Sequence, residues 1–140
     1  MKRNDRLSLA LHALGHMAAR PDVLLTSTEI AAHNRTNAVY VRRVLGLLRE
    51  GGLVASEKGH GGGWCLARPA SEIMLADVYR TLGERFLRPE PQGEDNPSSC
   101  EVEAKLRGKI DAALDAAEAT LIERLGADSI VDISMPAKAP

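Results

Sequence analysis

Apolar residues near the start of the chain recur at three- and four-residue spacings: Leu7, Leu9, Ala10, Leu11, Ala13, Leu14, Met17 and Ala18. That period predicts an amphipathic helix over residues 5–19, and Arg20-Pro21 ends it because proline cannot continue the hydrogen-bond ladder. Thr26-Ser27-Thr28-Glu29 then forms a capping box with Thr26 as N-cap, opening a short helix through Ile30, Ala31 and Ala32 to His33. A polar turn, Asn34-Arg35-Thr36, leads to residues 37–50, where Ala38, Val41, Val44, Leu45 and Leu48 share one helical face and Gly51-Gly52 supplies the stop. Helix, short helix, tight turn, helix is the spacing of a helix-turn-helix, whose second member enters the major groove of DNA.

Leu53-Val54-Ala55-Ser56 and Trp64-Cys65-Leu66-Ala67 read as short strands around Glu57-Lys58-Gly59-His60-Gly61-Gly62-Gly63, a hairpin with a glycine-rich tip. Such a tip can lie against another backbone, as the wing of a winged helix does. A phosphate-cradling loop is the weaker reading, since neither the dinucleotide fingerprint nor the Walker pattern is present and no helix follows at once. Residues 71–82 predict a fourth helix with Leu75, Val78, Tyr79 and Leu82 inward, ended by Gly83. The prolines and small polar residues of 87–99 predict a flexible loop.

Beyond it Val102, Leu106, Ile110, Ala113, Leu114, Ala117, Leu121 and Leu125 form one long stripe closed by Gly126. So long a stripe suits a helix that packs lengthwise against a copy of itself; folding back on its own domain is the alternative. Ile130, Val131 and Ile133 predict a short apolar turn before the tail frays. The expected organisation is therefore mainly α with a small β hairpin. Residues 1–83 make a winged helix-turn-helix domain with its wing at 53–67, 84–99 a sensory loop, 100–126 a dimerisation helix and 127–140 a tail.

Length and composition narrow what such an arrangement does. With 140 residues, 44% hydrophobic and 26% charged, the chain suits one cored domain with an appended helix. Trp64, Tyr40, Tyr79 and Phe86 are its only aromatic residues other than histidine, too few for a platform that stacks single-stranded bases. No apolar run approaches the roughly 20 residues of a membrane span, and MKRNDRLSLALHALG carries no convincing cleavage site, so no membrane partner and a cytoplasmic location are expected. The net charge of −1 divides into +5 over residues 1–68 and −6 over 69–140. The basic half suits a polyanion such as double-stranded DNA, although solvated charges without a partner would look the same.

The run Leu48-Arg49-Glu50-Gly51-Gly52-Leu53-Val54, then Ser56-Glu57-Lys58-Gly59-His60-Gly61-Gly62-Gly63-Trp64 and Leu66-Ala67-Arg68-Pro69, resembles the Rrf-two family of bacterial transcription regulators. The likeness extends along nearly the whole chain. It implies a homodimeric winged-helix DNA binder, with the long helix as dimer interface and the preceding loop as sensor. Cluster-binding members carry three loop cysteines about five residues apart, whereas this loop offers only Cys100 beside the hard oxygen donors Glu94, Asp95, Ser98 and Ser99. No cofactor and no metal are therefore expected.

By position in the motif, Asn37, Val39, Tyr40, Arg42 and Arg43 are candidates to meet base edges, with Arg42 first because arginine pairs bidentately with guanine. Lys58, His60, Gly61 and Gly62 would reach the minor groove or its phosphates, and Thr26, Ser27 and Thr28 a phosphate, with Lys2, Arg3 and Arg6 adding backbone contacts. Ser98 and Glu101 predict a capping box that sets the Cys100 thiol in the first turn of the long helix. The helix N-terminus would favour the thiolate there, with Glu101 and Glu103 opposing it, so Cys100 is a candidate sensor of oxidants. Cys65 reads as a small buried residue, and His12, His16 and His33 as structural or surface groups. A dimeric repressor responding to thiol state is the leading reading. A small effector molecule or a bound cluster as signal, a winged-helix module for protein partners, and a thiol enzyme lacking a nearby activating base are the alternatives.

Overall fold

The computed structural model describes residues 5–59, 62–83 and 100–134. Three helices open the chain: α1 (Asp5–Ala19), α2 (Ser27–His33) and α3 (Ala38–Glu50), followed by strands β1 (Val54–Glu57) and β2 (Gly63–Leu66). A 3₁₀ turn (Ala70–Glu72) precedes α4 (Leu75–Leu82), α5 (Glu101–Leu125) and the short α6 (Ile130–Ile133). α1, α3, α4 and α6 enclose the core, where Leu14, Met17, Leu45, Leu48, Leu53, Ile73 and Ile130 are almost wholly buried. β1 and β2 pair antiparallel with Val54 opposite Leu66 and Glu57 opposite Gly63, one residue out of step with the sequence-based strands.

The fourth helix is shorter than expected. Its presumed first turn is the separate 3₁₀ element, and Ile73 between them is extended, because its carbonyl accepts from Ile130 N at 2.9 Å while Leu75 N donates to Asp128 O at 2.9 Å. This pairing draws the chain end inward. Ile130 is fully buried, and Ser129 caps α6 by accepting from Val131 N at 3.2 Å, so residues 127–134 form part of the folded body. The rest of the tail, 135–140, and the proposed sensory loop, 84–99, lie outside the described residues.

The long helix spans 25 residues as expected, yet none is buried. Val102, Leu106 and Ile110 are 74%, 55% and 49% exposed. Only the last turns turn inward: Leu121, Ile122 and Leu125 pack against the core, and Tyr79 Oη donates to Glu118 Oε1 at 3.1 Å. The fold-back alternative thus describes the C-terminal end of α5 and not its length.

Candidate nucleic-acid interface

α2 and α3 are set by local chemistry at each end. Thr26 Oγ1 accepts from Glu29 N at 3.1 Å and donates to Glu29 Oε1 at 3.2 Å, so the expected cap forms with the glutamate reaching the hydroxyl. α3 is capped by Asn37, whose Oδ1 accepts from Tyr40 N at 2.8 Å. At its other end Gly52 takes a φ of +78°, and Leu53 N reaches back to Leu48 O at 2.9 Å while Gly52 N reaches Arg49 O at 3.0 Å. That is a Schellman motif, and it turns the chain from α3 to the wing in two residues.

These constraints sort the candidate base-reading residues. Asn37 spends its carbonyl oxygen on the cap, and Tyr40 is half-buried against the core because it shares a stripe with Val44 and Leu47. Val39, Arg42 and Arg43 stand three and four residues apart and make one outward face, with Val39 60% exposed and both arginines exposed. Among the described residues neither guanidinium has a hydrogen-bond or ion-pair partner. Thr28 is exposed at the start of α2, but the Ser27 hydroxyl accepts from Trp64 Nε1 at 2.9 Å and is held by the wing.

Sequence reasoning missed this joint. Trp64 N donates to Leu25 O at 2.8 Å and Leu25 N to Trp64 O at 3.1 Å, adding a third, one-residue rung to the wing sheet. Gly63 permits it, since a Cβ there would sit 2.8 Å from Leu25 O. Arg49 from α3 lies over the indole, 5.5 Å from the ring centroid, and donates to Ser56 Oγ on β1 at 2.9 Å. Trp64 therefore ties α2, α3 and wing into one unit, which fixes the angle between the helix pair and the hairpin. A lone tryptophan at the edge of a glycine-rich hairpin was the available signal. Lys58 is exposed at the wing, and Gly62 follows the tip with its N donating to Gly59 O at 3.0 Å; His60 and Gly61 lie outside the described residues, as do Lys2 and Arg3.

The remaining candidates lie elsewhere. Cys100 is the N-cap of α5 and makes no side-chain cap bond, so the thiol precedes the first turn and does not lie within it, while the expected cap Ser98 lies outside the described residues. Cys65 is half-buried on β2, less enclosed than expected, and neither cysteine is in a disulfide. Along α5, Val102, Leu106, Ile110, Ala113 and Ala117 are exposed and Leu114 half-buried, whereas Leu121 and Leu125 divide their surface between the core and the outside. His12, His16 and His33 stack as a ladder across α1 and α2, with ring centroids 4.8 and 5.0 Å apart. Burial, then the neighbouring His12, His33 and Arg20, holds His16 below the ordinary histidine value.

Residues 3–135 match the family profile Rrf2, described as an iron-dependent transcriptional regulator. The chain is 28% identical over 131 residues to YwnA of Bacillus subtilis (strain 168), named as a candidate HTH-type transcriptional regulator, covering 93% of this chain and 95% of that one. It is 32% identical over 130 residues to the protein aau3 of Rhizobium meliloti (strain 1021), covering 89% and 84%. Among solved structures, a candidate DNA-binding protein superposes with a TM-score of 0.72 at 26% identity, covering 91% of this chain and 97% of that one. The donors present do not fit an iron–sulfur core: Cys65 and Cys100 are the only thiols, and among the described residues no three His, Cys, Asp or Glu side chains converge. On a profile match that spans helix-turn-helix, wing and long helix together, the chain belongs to the Rrf2 family of DNA-binding transcriptional regulators.

Proposed function

We propose that the chain acts as a homodimeric, sequence-specific repressor, reading the major groove with Val39, Arg42 and Arg43 and touching the flanking backbone through Lys58 and Thr28. The observation that carries this reading is the outward face of α3: an apolar side chain between two unpaired guanidinium groups, on a helix whose opposite side is wholly buried. Arginine supplies the paired donors that guanine accepts, and an exposed valine suits a thymine methyl group. The second copy covers the Val102–Leu106–Ile110 stripe, which a lone chain leaves in water.

Cys100 couples this assembly to oxidants. Attack of its thiolate on a peroxide breaks the O–O bond, passes two electrons from sulfur to oxygen, leaves a sulfenic acid and releases water or an alcohol. The new group sits at the root of α5, where a change in the helix start alters the spacing of the paired α3 helices. The test is binding to duplex DNA from upstream of its own gene, in reductant and after peroxide, with Cys100→Ser alongside. Release of only the wild type on oxidation supports the sensor. Equal binding by both proteins throughout removes Cys100 from the mechanism and leaves a small effector as signal. Absence of salt-dependent duplex binding favours a protein-interaction module instead.

A further inference from the structure

The turn between α2 and α3 holds the one non-glycine residue with positive φ among the described residues, Arg35 at +52°. It occupies the position after the α2 C-cap, Asn34, and Thr36 N closes the turn on Ala31 O at 3.0 Å. This is the same six-to-one closure that Gly52 makes after α3, where glycine meets the requirement at no steric cost. A residue that carries a Cβ is strained in this conformation, and strain retained at one position points to a use for its side chain. Here the side chain is exposed, and among the described residues its guanidinium has no hydrogen-bond or ion-pair partner.

Its surroundings are polar and open. Arg35 lines a shallow hollow with Ser8, Asn34, Thr36 and Tyr40, directly before the cap of the recognition helix. The left-handed turn leaves the residue 35 side chain exposed while both flanking helices stay packed, four positions ahead of the exposed Val39. We propose that Arg35 is a backbone clamp: it grips a DNA phosphate at the edge of the major groove and so fixes how deep α3 sits. This rests on the DNA-reading assignment above and adds a residue that the motif itself does not nominate. A phosphate contact carries no base information, so Arg35 sets affinity and orientation for every sequence alike.

A glycine at this position gives effects of opposite sign. Arg35→Gly relieves the backbone and should melt higher than the wild type, yet bind its selected operator and a random duplex about tenfold more weakly, with the slope of log K against log salt shallower by about one. Arg35→Lys keeps the charge and should keep most of the affinity. Scanning single neutral methylphosphonates along the operator should find one position that weakens the wild type and leaves Arg35→Gly unchanged. If Arg35→Gly binds both duplexes as the wild type does, the clamp is refuted and Arg35 merely offsets the α2 dipole; a lower melting temperature overturns the strain argument. Failure of the wild type to bind any duplex refutes the DNA-reading assignment itself, a separate result.

Discussion

α3 buries Val41, Val44, Leu45 and Leu48 within 13 residues, whereas α5 runs for 25 residues and buries none. Both have an apolar stripe at helical spacing. The difference lies in what surrounds them: α1, α2 and α4 close over α3, while among the described residues α5 packs on the core through Leu121, Ile122 and Leu125, with Glu118 accepting from Tyr79. Its exposed start carries i,i+4 pairs, Lys105 with Glu101 at 3.7 Å and Arg107 with Glu103 at 3.5 Å. Exposed pairs of this kind contribute about 0.3–0.5 kcal/mol each, too little to hold an isolated helix of that length. A stripe alone therefore does not mark a core; it marks a surface that some neighbour has to cover.

The largest expected effect comes from breaking that cover. Leu106→Asp with Ile110→Asp should turn a dimer into a monomer by sedimentation and cost about 10²–10⁴-fold in operator affinity, because two linked reading heads bind with the gain of effective concentration. A wild type that sediments as a monomer would remove the basis for this prediction. Truncation within the core sharpens the contrast. Leu45→Ala, at a fully buried site, should lower stability by about 2–5 kcal/mol in urea unfolding at any protein concentration. Leu106→Ala should instead show a loss that depends on protein concentration, as the proposed dimer requires of an exposed stripe that a second copy covers.

The smallest effect is acidic. His16 in the folded chain binds a proton less readily than its ordinary value of 6.5, so below that value the unfolded chain takes up more protons. Stability should be level above about pH 6.5 and fall as pH drops below it. His16→Gln should flatten this slope. Because the ladder joins α1 to α2 and leaves α5 aside, the change should be seen in helix-turn-helix amides by hydrogen exchange and not in those of α5; an equal response in both would overturn the assignment.

What the sequence revealed follows the range of the forces involved. The bounds of α1, α2 and α3 were legible because Pro21, Thr26 and the Gly51-Gly52 pair act within a few residues of where they stand. The start of α4 was not, since Ile73 is drawn into extended form by residues 128–130, far along the chain. The short turn at Ile130, Val131 and Ile133 was legible, but its docking was not, since the bonds that draw Ile130 into the core come from Ile73 and Leu75. In the candidate site, arginines at helical spacing announced an outward face, whereas the spacing did not show that Asn37 Oδ1 caps α3 or that Tyr40 is half-buried against the core. The Ser27–Trp64 bond spans 37 positions and leaves no local mark.

That bond also makes the molecule its own optical instrument. Trp64 is the one tryptophan in the chain, and its emission depends on the hydroxyl that holds its ring nitrogen and the guanidinium over its face. Light absorbed there reports a single place, the joint between wing and helices. Any event that tilts the wing, whether a duplex, an oxidant or a second copy, can be followed in the unlabelled protein as a shift in colour.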